Sequence, residues 1–500
     1  MLSRTIAVAG VFALMSVAGA QAELTITNKP TKHVTCSNAT CSATATHANL
    51  NVGDLEAMLS ASDVSVTSGS IAQDMSVGQA ATWSSIHKLT IDSFRNVTFQ
   101  APLMSEGGGA LALTFGDGAN GSLTFSGKGR IAFWDLSSTY TLNGFTYVLV
   151  DSIATLANDI QSHPAGLYAL ANDYDAAADG VYQSAPITAV FSGGFSGNGN
   201  TIRNLTIRAS QSDVSVGLFA ESAGFITDLH FVKSDIKGKS RSRVGGVAGV
   251  MDGDMFSVSV SGKVSAGPKS IVGGLVGLVF SGTTAYSSMS GEVSGKGSDA
   301  TGNSAVGGLI GAGSRASSAN IAISSSSATV TGGAGWRAGG LIGLSRDSVF
   351  TSFATGTVSA ADNGFAGGVA GENFGSVVNT YATGFTVGGV NSTVGGLIGH
   401  NHGPVATSYS SGAVASGSGN AVGGLVGNDS ESGDLTDTYW DTTTSGQAHG
   451  VGNDTSYPGV TGLTTEEFQA GLPSGFDSAV WAEDPNVNGG LPYLLAIPPK

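Results

Sequence analysis

The chain has 500 residues, of which 76 are glycine and 11% charged, and its net charge is −15. That acidic balance argues against nucleic acid or anionic membrane as a partner, since both select basic patches. Low charge with abundant glycine describes a disordered polymer when the order of residues is irregular, so periodicity has to decide whether this chain folds.

Residues 1–22 read as a secretory signal peptide. Arg4 supplies the positive start, Ile6–Ala18 the apolar core, and Ala20-Gln-Ala22 a small-residue cleavage site. No later stretch approaches the ~20 apolar residues of a spanning helix, so no membrane-spanning segment is expected after signal removal. Cys36 and Cys41 are the only cysteines. In an exported chain they predict a local disulfide, which over so short a loop contributes only ~2 kcal/mol.

Residues 23–150 hold short alternating runs such as Ala110-Leu-Ala-Leu-Thr-Phe115 and Arg130-Ile-Ala-Phe133, separated by turns such as Gly116-Asp-Gly118. They predict irregular coils of a β-helix, with a separate β-sandwich as the alternative. Residues 151–207 form a lead-in. A helix is predicted over Ser152–Ile160, with Ile153, Leu156 and Ile160 on one face. Asp173, Asp175 and Asp179 are an acidic turn that reads as solvated rather than as a Ca²⁺ site, which needs six or more oxygens. Asn200 and Asn204 are expected to form a polar stack at a turn.

Residues 208–437 carry a repeat. A glycine hexad, seen whole as Val394-Gly-Gly-Leu-Ile-Gly399, occurs seven times, after an eroded copy Val216-Gly-Leu-Phe219. Its paired glycines are Gly245 and Gly246, Gly273 and Gly274, Gly307 and Gly308, Gly339 and Gly340, Gly367 and Gly368, Gly395 and Gly396, and Gly423 and Gly424. From Gly217 the steps are 28, 28, 34, 32, 28, 28 and 28 residues. A fixed period in this range marks a stacked repeat. Ser, Thr, Val and Gly dominate it, and Gly costs ~1 kcal/mol inside a helix. No apolar i, i+3, i+4, i+7 pattern is present, which leaves a right-handed parallel β-helix, an all-β solenoid of about 28-residue coils ~4.8 Å apart. Paired glycines suit its corners, where the backbone needs positive φ or close neighbours. The surplus of the longer periods falls in segments such as Gly295–Asn303, expected to bulge as loops.

About 17 residues past each first glycine comes an alternating run, such as Thr380-Tyr-Ala-Thr-Gly-Phe-Thr386. Tyr286, Phe353, Tyr381 and Tyr409, with Val258 before them, are expected to stack as an aromatic ladder forming an internal spine. Residues 438–500 change character. Thr464-Thr-Glu-Glu467 is a capping box opening a short helix to about Leu472. Phe468, Phe476, Trp481, Tyr493 and Leu494 predict a cap over the last coil, whose open edge would otherwise recruit further strands.

The hexads resemble the GLUG motif, named for its Gly-Leu-hydrophobic-Gly core and found in large secreted bacterial proteins that include filamentous haemagglutinin-like adhesins. The resemblance covers roughly residues 190–440 and extends through Tyr439-Trp-Asp441, Thr444-Ser-Gly-Gln447 and Asn488-Gly-Gly-Leu-Pro-Tyr493. It implies a bacterial protein that is secreted, extracellular or displayed at the cell surface.

The sequence holds no His-Glu-x-x-His zinc signature, which some secreted peptidases with similar repeats carry, and no Gly-x-Ser-x-Gly elbow or phosphate-binding loop. No catalytic residue, metal or cofactor is assigned. His400-Asn-His402 could place two imidazoles on one metal, but no third ligand is evident and the segment reads as a surface turn. The expected function is that of a non-enzymatic exported solenoid, adhesin-like, binding host or matrix glycans or proteins through an extended repetitive surface. The alternative is a carbohydrate-active lyase or hydrolase on a β-helix, which needs clustered catalytic side chains such as a carboxylate pair.

Overall fold

The computed structural model describes residues 22–117, 121–419, 421–430, 435–454 and 456–499, with backbone alone at 315–318. The leader predicted at 1–22 therefore lies outside the described residues, except for Ala22. The chain is a parallel β-solenoid. It falls into two compact units: the chain up to Ser152 with Gly166–Tyr174 and Phe195–Thr201, and Ile153–Ala165 with Asp175–Gly194 and the chain from Ile202 onward.

In the first unit, alternating strands stack in parallel: Met75 pairs with Val97, and Val97 with Leu123. Leu24, Ile26, Leu50, Val77 and Phe99 are the inward members of the alternation and are fully buried. Parallel stacking of sequential strands rules out the antiparallel β-sandwich. The first strand, Glu23–Thr27, lies between His47–Asn51 and Asp74–Val77, parallel to both. The chain then forms a hairpin, Val34–Ser37 against Thr40–Ala43, in which Cys36 faces Cys41 and the two are joined. A helix not foreseen in the sequence, Val52–Leu59, starts where the Asn51 side chain accepts the N–H groups of Gly53 and Asp54, and it buries Leu55 and Leu59.

The second unit carries the repeats. Pairing runs Ser215, Arg243, Ile271, Ala305, Arg337, Phe365, Thr393, Ala421, which reproduces the spacing of the hexads rung by rung in one eight-stranded sheet. Behind it, Leu218, Val247, Leu275, Leu309, Leu341, Val369, Leu397 and Leu425 form a wholly buried column. The N–H of Leu341 donates to Val369, that of Val369 to Leu397, and that of Leu397 to Leu425. The helix Ile153–Ser162 buries the three predicted apolar residues. The capping box at Thr464 is present, but its helix ends at Phe468, short of Leu472.

None of the paired glycines has φ in the left-handed range. Close approach alone requires them: a Cβ on Gly340 would collide with the carbonyl oxygen of Gly368, and one on Gly339 would stand 2.7 Å from the nitrogen of Gly371. Left-handed backbone appears at another corner, in side-chain-bearing residues. Asp228, Ser257, Tyr286, Ile323, Thr351, Asn379, Thr407 and Asp437 all have φ between 45° and 63°, and they recur coil after coil.

The Gly295–Asn303 segment is an organised loop. Asp299 accepts the N–H groups of Thr301, Asn303 and Ser304 and the hydroxyls of Thr301 and Ser304. Asn200 and Asn204 do not share a stack. Asn200 donates to the carbonyls of Ile131 and Leu170, whereas Asn204 is left-handed and donates to Asp175.

Candidate functional site

Phe353 stacks on Tyr381 at 4.8 Å between ring centroids, and Tyr381 on Tyr409 at 5.2 Å, both nearly coplanar. Tyr439 follows in register. These rings point away from the solenoid interior. Thr380 and Ala382, on either side of Tyr381, are buried, and a Cβ on Gly368 would meet Ala382, so the neighbours face inward and the tyrosine outward. The ladder is buried only because Phe468, Phe476, Trp481 and Leu494 cover it. The expected internal spine is thus an external row under a strap.

Tyr286 is not part of that row. It occupies the left-handed corner and is 47% exposed. The ladder position in its coil is Ser288, which pairs with Ser325, which pairs with Phe353. Val258 likewise belongs to the neighbouring inward row, its N–H donating to Ser287 Oγ.

The C-terminal segment first adds a rung, Val460–Leu463 on Thr438–Asp441, and then turns back along the solenoid. Tyr439 Oη donates to the Ser474 carbonyl at 2.7 Å and Tyr409 Oη to the Pro492 carbonyl at 2.6 Å. Burial, with Tyr381 beside it, pushes the Tyr409 hydroxyl pKa well above its usual value. Ala496 and Ile497 reach a further apolar cluster at Ala285, Ala322 and Ile323. The predicted cap over the end of the stack is mainly a lateral strap.

The opposite outcome holds for His400 and His402, read from sequence as a surface turn. Strand Ala370–Asn373 places Glu372 in register with His400 on Ile398–Asn401. The carboxylate Oε1 of Glu372 lies 3.8 Å from His400 Nδ1 and 3.5 Å from His402 Nε2. Glu372 is almost fully buried, and its Oε2 accepts from Arg337 Nε. Phe374 stacks on His402 at 4.2 Å and 2°, and Phe365 meets His400 edge-on at 5.3 Å. Burial, then the His402 ring, lower the His400 pKa against the opposing pull of Glu372, which favours the neutral imidazole. The missing signal was one period away: Glu372 stands 28 residues before His400, so its neighbourhood appears only when the coils are overlaid.

The early aspartates do not converge. Asp173 accepts from the Thr201 N–H, Asp175 from the Ala177 N–H, and Asp179 from the Tyr182 hydroxyl. Glu372, His400 and His402 are the one group of three or more potential metal ligands among the described residues. No helix among those residues is long and apolar enough to cross a membrane.

No protein-family model matches the chain. Halomucin of Haloquadratum walsbyi is 29% identical over 232 residues, 41% of this chain, and the chain spans 2% of halomucin's length. Among solved structures, a Bacteroides ovatus protein assigned provisionally to the immunoglobulin A1 proteases is 18% identical with a TM-score of 0.40, covering 70% of this chain and 93% of that one. An IgA1 protease is 17% identical with a TM-score of 0.34, covering 62% and 24%. At these values neither likeness carries a functional argument.

Proposed function

We propose that this is an exported, non-enzymatic solenoid that binds extracellular surfaces in the manner of an adhesin. The observation that carries the reading is the eight-rung sheet of the repeats. It sets Ser215, Arg243, Ile271, Ala305, Arg337, Phe365, Thr393 and Ala421 in single file. At ~4.8 Å per rung, that file is a rigid array roughly 34 Å long with different chemistry at each step. Such an array suits many weak contacts made together, where avidity replaces a single deep site. The GLUG resemblance of the hexads supports an adhesin of the filamentous haemagglutinin-like kind. The leader-like residues 1–22 and the Cys36–Cys41 disulfide support export to an oxidising compartment.

The test is a glycan and matrix-protein array probed with the full chain, run beside a reducing-sugar assay on the same glycans. Binding without product is the expected result. Product formation would replace this reading with the carbohydrate-active β-helix enzyme. A blank array with no adherence to cells would leave a structural matrix component.

A further inference from the structure

We propose that Glu372, His400 and His402 bind a divalent transition-metal ion of the zinc class. Three features point to it. First, His400 Nδ1 and His402 Nε2 are both buried and without a hydrogen-bond partner. A buried polar atom left unpaired costs about 1–3 kcal/mol, and the Arg337–Glu372 ion pair relieves neither nitrogen. A cation between them would engage both lone pairs.

Second, the donor set has the right chemistry and nearly the right size. Two imidazoles and one carboxylate are a known zinc combination, with bonds of about 2.0–2.2 Å. A tetrahedral ion with such bonds separates neighbouring donors by roughly 3.4 Å. Here the carboxylate oxygen is 3.5 and 3.8 Å from the two nitrogens, and all three ligand atoms lie within 4.8 Å of one another. Small side-chain rotations would close the set.

Third, the ligands are already held in place. Arg337 fixes one oxygen of Glu372 and leaves the other facing the histidines. His400 Nε2 lies 2.8 Å from Ser430 Oγ and 3.0 Å from Asn428 Nδ2. A proton on Nε2 donated to Ser430 leaves the Nδ1 lone pair for the ion, which is how outer partners orient ligating imidazoles. Phe374 locks the His402 ring face-on. Three protein ligands leave a fourth position for water or for a donor on a bound surface.

Isothermal titration of the full chain with Zn²⁺ tests the site, with Co²⁺ as a spectroscopic substitute. A saturable one-to-one heat is expected, together with the strong visible band of four-coordinate cobalt. His400→Ala and His402→Ala should each weaken binding at least about tenfold, while His230→Ala, remote from the cluster, should change nothing. Glu372→Gln preserves shape and guards against a folding defect: with the β circular-dichroism spectrum intact, it should also weaken binding. No heat in the wild type, or unchanged binding in both histidine variants, overturns the proposal. So does a correctly folded Glu372→Gln variant that binds as the wild type does. These readouts involve no glycan or matrix protein, so their failure would leave the surface-binding function standing, and the reverse.

Discussion

The indole N–H of Trp481 donates to the side-chain oxygen of Asn379 at 3.2 Å, across 102 residues of sequence. Asn379 is one of the left-handed corner residues, and Trp481 packs on the adjacent rings of Tyr381 and Tyr409, 6.0 Å from each. One side chain thus ties the strap to two coils. Removing a buried aromatic of this size typically costs about 3–5 kcal/mol. Trp481→Ala should lower the urea midpoint accordingly and increase dye binding by exposing the tyrosine row. An unchanged midpoint would mean that the strap is not coupled to the stability of the coils.

The same relationship bears on chain association. A truncation ending at Leu463 keeps the added rung but uncovers Phe353, Tyr381, Tyr409 and Tyr439, all buried in the full chain. A contiguous apolar strip of that kind promotes association. The truncated chain should elute as aggregates in size-exclusion chromatography. A stable monomer would show that the ladder is tolerated in water.

Hexad glycines should be intolerant of even one methyl group. The Cβ of Gly340→Ala would strike the carbonyl of the next coil, whereas Gly78→Ala meets its nearest neighbour at an ordinary 3.5 Å. Overpacking against backbone with little room to yield costs about 3 kcal/mol. Gly340→Ala should therefore lower the thermal midpoint sharply, and Gly78→Ala should barely move it. Equal effects would indicate that the glycines serve chain flexibility rather than coil spacing.

Much of this was legible in the sequence. The hexads at fixed spacing gave the rung register of the second unit, because stacking repeats every coil and the pattern is counted directly. The direction of the tyrosine row was not legible: alternation says that neighbours face opposite ways, and a one-residue shift exchanges the faces. Tyr286 misled for this reason, being two positions from Ser288, the true equivalent of Phe353. The strap was hidden because its partners lie up to 102 residues away. Of the metal-ligand cluster, the two histidines were visible and Glu372 was not, since contact across coils follows the period and not the local order.

The left-handed corner offers a stabilising change. Thr351 holds φ of 49°, a conformation that is strained for a β-branched residue and easier for asparagine. Asn379, one coil on, shows that asparagine fits the corner. Thr351→Asn should raise stability by about 1 kcal/mol, read as a higher urea midpoint with unchanged slope. A lower midpoint would mean that the threonine methyl makes contacts worth more than the strain.

Two aspartates should give pH dependences of opposite sign. Burial raises the Asp228 pKa to about 7 against the opposing hydrogen bond from Thr227. A folded-state pKa above the unfolded value of 3.8 means that folding takes up a proton. Stability then falls as pH rises from about 4 through about 7 and is flat above, by up to about 4 kcal/mol. For Asp299, burial is outweighed by hydrogen bonds from the Thr301 and Ser304 side chains and the Thr301 and Asn303 backbone, and the pKa drops to about 2. Its contribution is present above the unfolded value and is lost as pH falls through about 2. Urea midpoints measured from pH 4 to 8 should decline for the wild type and stay level for Asp228→Asn, which keeps the left-handed corner filled by a residue suited to it. Asp299→Asn should change the acid limb alone. A constant difference between wild type and Asp228→Asn across that range would show that the Asp228 carboxyl ionises normally in the folded chain.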